Sequence, residues 1–509
     1  MKLVAAVDLG SNSFRLLIGR VVDSALGHQI YPLDNLKEVV RLAAGLTSDK
    51  RLDSASQTRA LAALQRFGER LRSFSPDRVR AVATNTLRVA KNGKEFLATA
   101  EAALGFPIEI IAGREEARLI YTGVAHSMAC DGQRRLVVDI GGGSTEFIIG
   151  TDYEPSVMES IYIGCVRFSK EFFPDGEVSR SGMKAGMLAA RKEIEVIRKA
   201  YLESGWDQAI GSSGTARAIN EVLALNGFTD QGITVTGLEK LRASLIRAGR
   251  TENSGLQGLR QDRVPVFAGG VAIMSAIFEE LEIARMDYGE GALRLGVLYD
   301  LVGRVQHSDM RRVSVEQMMR RYSVDAAQAR RIGELAVRLW KLINIGSAEE
   351  QEELEQRLMF ASCLHEIGHS ISHNSFHKHS SYILAHADLP GFSRREQQAI
   401  AAFALGQQGK LAKVQGMIFS KAEWAALMCF RIACLFYRRR TSLVLPQIAF
   451  SPSGSVYRLG ISGEWLAEHP LTEFSLQQES AEWAKQGIDL QLQAVSADAA
   501  RLHQSTAGA

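Results

Sequence analysis

The sequence predicts an α/β architecture over residues 1–305 and a mainly helical second half that ends in a small α+β segment. Three observations support this prediction. Strand-like and helical runs alternate in the first half, a strand–turn–strand unit occurs twice, and apolar residues recur at helical spacing after residue 305. At 509 residues and 46% hydrophobic content, the chain is too long for one core and is expected to form several domains.

Apolar runs give the individual elements. The predicted strands of the first half are residues 4–9, 79–84, 108–111, 136–140 and 161–164, and its predicted helices are residues 56–73 and 114–124. The predicted helices of the second half are residues 315–322, 326–342, 351–366, 393–404 and 421–439, and its predicted strands are residues 443–445, 456–459 and 490–492.

Composition and charge narrow the class of protein. The formal net charge of +3 neither requires nor excludes a polyanionic partner, and no nucleic-acid partner is expected. The five cysteines are scattered and odd in number, which is typical of reduced thiols in a cytoplasmic protein. No signal-peptide pattern precedes Asp8, and the apolar residues 424–437 are too few and contain Arg431, so we expect no membrane span. Peripheral membrane association is left open.

The strand–turn–strand unit is repeated without a gap. Residues 7–19 align with residues 138–150, and in each copy an apolar strand ends in an aspartate, Asp8 or Asp139. Turns of small residues bring backbone N–H groups close to an anion, which suits phosphate. An aspartate beside a phosphate needs an intervening cation, so the pair indicates a hard divalent metal, preferably Mg²⁺. A third small-residue turn, residues 211–215, precedes a predicted helix and forms another candidate anion site.

These segments resemble those of the exopolyphosphatase and guanosine pentaphosphate phosphatase (Ppx/GppA) family. The matching segments are residues 8–13, 83–88, 113–119, 139–146, 211–215 and 291–298, and a looser likeness continues through residues 364–368 and 388–392. The resemblance implies two actin-like ATPase (ribonuclease H-like) domains with an interdomain cleft, an all-α HD-like domain and a small α+β C-terminal domain. The expected boundaries are 1–125, 126–305, 306–443 and 444–509.

The resemblance also implies roles for individual residues. Glu116 would be the general base that activates water, and its position in the first turn of a helix should favour its ionised form. Mg²⁺ would be held by Asp8, Asp139 and Glu146. The expected phosphate-binding residues are Gly10, Ser11, Asn12, Ser13, Arg88, Gly141, Gly142, Gly143, Ser144, Gly211, Ser212, Ser213, Gly214 and Thr215.

The activity that the resemblance implies is processive, Mg²⁺-dependent hydrolysis of terminal phosphates from inorganic polyphosphate, as in a long-form bacterial exopolyphosphatase. Hydrolysis of guanosine pentaphosphate (pppGpp) is the alternative, and an actin-like or chaperone-type ATPase is a more remote one. A homodimer is expected, and a monovalent cation such as K⁺ is left open as a second cofactor. Leu295 departs from the family pattern, which would place an acidic residue after Arg294.

A cluster of histidines marks the second half. Six of the eleven histidines in the chain lie within residues 365–386, namely His365, His369, His373, His377, His379 and His386. Residues 365–369 match the H-E-x-x-H pattern of zinc proteases, but no third ligand is placed and Gly368 weakens a helix there. The segment is similar to the HD metal-phosphohydrolases with Glu366 in place of their aspartate, so we favour a degenerate HD-like domain whose histidines line a polyphosphate passage or pack internally.

Overall fold

A computed structural model describes residues 2–24, 27–305 and 309–495. The chain divides into two compact units, one ending at Met310 and the other beginning at Arg311. No helix within these described residues combines the length and the apolarity that a membrane crossing requires.

The first unit contains two sheets with helices around them. Its strands are β1 (Lys2–Leu9), β2 (Ser13–Ser24), β3 (Gly27–Val39), β4 (Val79–Ala83), β5 (Ile108–Ile110), β6 (Arg134–Ile140), β7 (Thr145–Thr151), β8 (Glu154–Ile161), β9 (Gln208–Gly211), β10 (Ile233–Thr234) and β11 (Arg285–Tyr288). Its helices are α1 (Ser54–Leu71), α2 (Asn85–Val89), α3 (Gly93–Leu104), α4 (Gly113–Ala125), α5 (Cys165–Phe172), α6 (Arg180–Ser204), α7 (Gly214–Leu225), α8 (Val235–Ala248), α9 (Val264–Glu280) and α10 (Leu293–Val305).

The two sheets repeat one topology. The first has the order β3-β2-β1-β4-β5, and the second has the equivalent order β8-β7-β6-β9-β11 with β10 added at its edge. In each sheet the three strands at one side pair antiparallel, β3-β2-β1 in the first and β8-β7-β6 in the second. The next two strands, β4-β5 and β9-β11, run parallel to β1 and β6. This is the topology of the predicted ribonuclease H-like domains, and it extends the sequence repeat to whole sheets.

Alternation along β1 and β6 directs both aspartates toward a shared interior. Val4 and Ala6 pack in a central core with Val137, whereas the intervening residues of each strand pack in separate outer cores. Because successive side chains point to opposite faces of a strand, Asp8 shares the face of Val4 and Ala6, and Asp139 shares the face of Val137. Both faces are covered, which explains why these strands are almost continuously apolar.

Helices α4 and α10 complete the central core and cross at two glycines. A Cβ atom on Gly296 would lie 1.7 Å from the carbonyl oxygen of Leu119, and one on Gly123 would lie 2.3 Å from that of Ala292. Only glycine permits backbones to approach this closely. The crossing fixes the position of α4, whose first turn carries Glu116.

A buried ion-pair network also holds α4 against α10. The Arg118 guanidinium donates to both carboxylate oxygens of Glu115, at 2.8 Å each, and to Asp300. Arg80 donates to Asp300 at 2.6 Å. Burial opposes ionisation of Asp300, but Arg118 and Arg80 outweigh burial and lower the pKa of this carboxyl group below its usual value.

The second unit is helical with a terminal three-stranded sheet. Its helices are α11 (Met310–Arg321), α12 (Ala326–Ile343), α13 (Ala348–Leu364), α14 (Phe376–His386), α15 (Arg394–Gly406), α16 (Lys421–Phe436), α17 (Gly463–Glu468) and α18 (Pro470–Ala484). Its strands, β12 (Ile448–Ser453), β13 (Val456–Ser462) and β14 (Asp489–Val495), form the order β12-β13-β14. One continuous hydrophobic core includes residues from the helices and from the sheet.

Three predicted segments differ from the structure. Residues 161–164 are not a strand, because β8 ends at Ile161 and the chain turns to bring Gly164 against the backbone of Gly142 and Gly143. Residues 443–445 are also not a strand: Val444 is 90% exposed, and sheet pairing starts only at Ile448. The predicted helix 351–366 ends at residue 364, and a separate 3₁₀ turn follows over 367–370, so the H-E-x-x-H residues do not lie on one helix.

We predict that Arg118→Met lowers the free energy of unfolding of the first unit by about 3–5 kcal/mol, because it leaves buried carboxylates without their partner. Arg217→Met is the control, since Arg217 forms an exposed pair with Glu221 at 2.7 Å and its loss should cost less than about 1 kcal/mol. Urea denaturation of the full chain measures both variants. Equal losses would contradict a structural role for the buried network.

Candidate functional site

The two aspartate hairpins turn toward each other across a cleft within the first unit. A Cβ atom on Gly142 would lie 3.0 Å from Cβ of Ser11 and 3.5 Å from the backbone nitrogen of Asn12. A Cβ atom on Gly143 would lie 2.7 Å from Oδ1 of Asn85. The predicted phosphate-binding turns of the two copies therefore meet in one place, and the second turn needs glycine in order to fit there.

Asp8 and Asp139 lie beside these turns in half-buried positions. The Ser212 hydroxyl donates to Oδ2 of Asp139 at 2.8 Å, whereas Oδ1 of Asp8 is buried without a hydrogen-bond partner. Burial raises the pKa of Asp8, and burial together with the charge of Asp8 raises the pKa of Asp139 to about 6. Two such carboxylates in one buried site favour binding of a cation.

The residue opposite each aspartate differs between the two copies. In the register of the first hairpin Asp8 faces Arg15, and in the second Asp139 faces Glu146. Glu146 is buried and accepts a hydrogen bond from the Ser160 hydroxyl at 2.8 Å. Burial raises its pKa well above the usual value, and nearby carboxylates add to the effect. The second hairpin thus has two carboxylates where the first has one carboxylate and one guanidinium.

Glu116 lies in the first turn of α4 and is only 7% exposed. Burial raises its pKa to about 7, although the charge and hydrogen bond of Arg88 act in the opposite direction. The carboxylates of Asp8 and Asp139 raise this pKa further. The expectation that the helix N-terminus favours the ionised form of Glu116 is therefore overridden by burial. The resulting pKa suits a group that accepts a proton near neutral pH.

Arg88 is a buried partner of Glu116. Its Nη1 donates to Oε2 of Glu116 at 3.1 Å and to the carbonyl oxygen of Ile111 at 2.9 Å, and its side chain is 3% exposed. Nε of Arg88 is buried without a hydrogen-bond partner. The guanidinium therefore orients the carboxylate of Glu116 and keeps its Nε–H available as a donor.

The third turn connects β9 to α7 next to the second hairpin. Ser213 caps α7 by accepting hydrogen bonds from the backbone nitrogens of Thr215 and Ala216, at 3.2 and 3.0 Å. The Thr215 hydroxyl donates to the carbonyl oxygen of Ile140 at 3.0 Å. Together with the Ser212 bond to Asp139, these contacts attach the third turn to the aspartate strand, so Gly211 to Thr215 belong to the same site.

Three arginines that are not among the predicted phosphate-binding residues add positive charge to the site. Arg263 reaches the third turn, where its Nη2 would lie 2.0 Å from a Cβ atom on Gly214. Burial lowers the pKa of Arg15, and Arg263 contributes to that decrease. Burial and the charge of Arg15 lower the pKa of Arg294 to about 10. Arginines gathered in this way favour bound anions, and Asp8 partly compensates for their charge.

Two further segments border the cleft: residues 291–298, which contain Leu295, and α2, which begins at Asn85. Leu295 packs against the central core, so the position supplies no acidic group to the cleft. Nδ2 of Asn85 is buried without a partner beside Gly143, which gives the cleft a further donor. The segment containing Asn85 was recognised in the sequence, but nothing in the motif distinguished this side chain.

The carboxylates fit a hard cation bound together with phosphate. Within the described ranges, no three His, Cys, Asp or Glu side chains close around a single metal position. Mg²⁺ is commonly bound by one or two carboxylates, with waters and substrate phosphates as its other ligands. The unpartnered oxygen of Asp8 and the oxygens of Asp139 and Glu146 are donors of this kind.

Comparisons with known proteins cover both units of the chain. The model of the Ppx/GppA phosphatase family matches residues 20–305, and the model of domain III of the same family matches residues 310–480. A guanosine-5′-triphosphate,3′-diphosphate pyrophosphatase of Pseudoalteromonas translucida is 38% identical over 491 residues, covering 96% of this chain and 97% of that protein.

Solved structures share the fold of about three-fifths of the chain. An exopolyphosphatase from Cytophaga hutchinsonii is 24% identical with a TM-score of 0.53, covering 59% of this chain and 98% of that chain. A Ppx/GppA family member from Aquifex aeolicus is 25% identical with a TM-score of 0.50, covering 60% of this chain and 98% of that chain.

We predict that Gly142→Ala weakens binding of inorganic tripolyphosphate about tenfold, because the added methyl group pushes the two turns apart. Gly186→Ala in α6 is the matched control, since its Cβ atom would meet only ordinary contacts at 3.5 Å. Isothermal titration calorimetry with Mg²⁺ present measures both. Unchanged binding in Gly142→Ala would mean that the approach of the turns does not shape the site.

Proposed function

Because the chain belongs to the Ppx/GppA phosphatase family and is a phosphoanhydride hydrolase, we propose that its substrate is guanosine 5′-triphosphate 3′-diphosphate, from which it releases the terminal 5′-phosphate. The Pseudoalteromonas relative is named for hydrolysis of this nucleotide and aligns with nearly the whole chain. On the support of that match we propose guanosine pentaphosphate in preference to inorganic polyphosphate, the substrate expected from the sequence.

The convergence of Glu116 with the two hairpins carries this proposal. The carboxylate has a pKa of about 7 and lies near Asp8 and Asp139, at the ends of the strands that lead into the phosphate-binding turns. Phosphoryl transfer requires an oriented nucleophile and neutralised phosphate oxygens more than covalent help from the protein. The site has a group suited to each requirement.

In the proposed reaction, ionised Glu116 accepts a proton from water as the water oxygen bonds to the terminal phosphorus. The bond from that phosphorus to the bridging oxygen breaks, and the bridging oxygen leaves with the shortened substrate while orthophosphate is released. Arg88 orients Glu116, and backbone N–H groups of residues 10–13 and 142–144 bind the phosphoryl oxygens, while the N–H of Gly141 donates to the carbonyl oxygen of Ser144 at 2.9 Å and closes the second turn.

We propose Mg²⁺ as the cofactor, held by Asp8, Asp139 and Glu146 directly or through water. Its chemistry when bound is neutralisation of charge on adjacent phosphate oxygens. Arg15, Arg263 and Arg294 place further positive charge beside this position, where they would contact phosphoryl groups beyond the terminal one.

Inorganic polyphosphate is the second candidate substrate. The arginines and Gly-rich turns recognise phosphoryl groups, and this recognition does not require a base or sugar. A long phosphate chain therefore satisfies the same contacts as the triphosphate of the nucleotide.

Phosphate release from guanosine pentaphosphate, long-chain polyphosphate and ATP, measured side by side at equal enzyme concentration, tests the proposal. We expect the highest kcat/KM for guanosine pentaphosphate, and a drop in kcat of about a thousandfold in Glu116→Gln with binding retained. Glu154→Gln, at an exposed position, is the control. Faster hydrolysis of polyphosphate would reverse the order of substrates, whereas preference for ATP would reject both.

We predict that Asp139→Asn raises the Mg²⁺ concentration needed for half-maximal activity by about tenfold, since one ligand charge is lost. Phosphate release during a Mg²⁺ titration measures the change. Asp207→Asn, which alters a carboxylate that caps the backbone of Arg134 outside the cleft, should leave the Mg²⁺ requirement unchanged. A normal requirement in Asp139→Asn would remove this residue from the metal site.

The pH dependence follows from Glu116. The base must be ionised, so kcat/KM should rise as pH increases through about 7 and level off above it. Arg88→Gln removes a positive charge that lowers the pKa of Glu116, and should move this rise upward by about one to three pH units. A pH–rate profile of both proteins measures the shift. An unmoved profile would show that another group controls the rise.

A further inference from the structure

We propose that a cavity in the second unit binds a nucleotide carrying several phosphoryl groups, at a site distinct from the hairpin turns. The cavity has a volume of about 1250 Å³ and is lined by residues of α12, α14, α16 and α18 and by the loops near them. This exceeds the usual size of small-molecule sites and can hold a base, a sugar and a chain of phosphates. The inference does not depend on which substrate the first unit hydrolyses.

The charges that line the cavity leave an excess of cations. Each acidic group has a basic partner: Glu366 pairs with Arg440 at 2.7 Å, Glu482 pairs with Lys485 at 2.7 Å, and two further pairs join Glu479 to Arg431 and Asp325 to Arg440. Among the described residues of the lining, Lys410 and Arg438 have no carboxylate within 4.0 Å. These two cations are available to an anion that enters the cavity.

Further positive charge surrounds His377 at the cavity wall. Burial lowers the pKa of His377 to about 4, and Lys413 and Lys378 contribute to this decrease. Burial, Arg431 and Lys378 lower the pKa of Lys413 to about 8. His377 accepts a hydrogen bond from the Gln408 side chain at 2.9 Å, as a neutral imidazole does. This grouping of cations favours a ligand with several negative charges.

An aromatic stack on the same wall favours a ligand that has a base. The rings of His369 and Phe376 stack at 4.0 Å between centroids with an angle of 19°, and His373 extends the stack at 5.3 Å and 23°. All three residues line the cavity, and His373 is exposed at the end of the stack. Flat rings of this kind bind nucleobases by stacking, whereas an inorganic phosphate chain gains nothing from them.

Binding of GTP to the full chain carrying Glu116→Gln tests the proposal, with calorimetry giving the number of sites. We expect two GTP molecules per chain, and one in the double variant Lys410→Ala/Arg438→Ala. The double variant Arg395→Ala/Lys421→Ala removes two exposed cations of the same unit that do not line the cavity, and should retain both sites. A number of GTP sites that does not fall in Lys410→Ala/Arg438→Ala, or equal losses in the two double variants, would overturn the proposal. Unchanged melting temperatures verify that the variants fold.

Inorganic tripolyphosphate separates a nucleotide from a bare phosphate chain. At the cavity we expect GTP to bind about tenfold more tightly than tripolyphosphate, a preference that His373→Ala should abolish. Equal affinity for the two probes, unaffected by His373→Ala, would overturn the assignment of a nucleotide and identify the cavity as a phosphate-chain site.

Discussion

The burial of like charges is the constraint on which the cleft depends. Burial raises the pKa of four acidic groups, Asp8, Asp139, Glu146 and Glu116. Neighbouring carboxylates raise the pKa of the last three further. Such a group of acids is ionised together only when cations are nearby. The arginines of the cleft meet part of this requirement, and a divalent ion with its phosphate ligands would meet the rest. In the proposed mechanism, binding of substrate, binding of metal and ionisation of Glu116 would therefore be linked.

The position of Glu116 depends on packing far from the phosphates. Its neighbour Glu115 has a separate role, because it binds Arg118 and joins α4 to α10 through the buried network. The close crossing at Gly123 and Gly296 sets the distance between the same two helices. The adjacent glutamates of this helical turn therefore have different roles: Glu115 anchors the helix and Glu116 faces the cleft.

The repeat made much of this arrangement predictable from sequence. Side chains alternate between the two faces of β1 and β6, which directs Asp8 and Asp139 to the inner faces. Small residues in each turn permit the two turns to approach closely. Contributions from distant segments could not be predicted in this way. Arg263 reaches the third turn from the start of α9, and the pKa of Glu116 is set by tertiary burial that outweighs a local helix effect. The HD-like character of the second unit, the homodimer and the cytoplasmic location stay predictions.

The unequal partners of the two aspartates give the cleft a direction. Arginine stands opposite the first aspartate and glutamate opposite the second, so duplication of the backbone produced a charge gradient and not a mirror image. A linear anion placed in such a gradient has one favoured orientation, with its end at the acidic side and its body along the basic side. If Glu116 is the base, as we propose, cleavage is confined to the terminal linkage, since interior linkages do not reach its carboxylate.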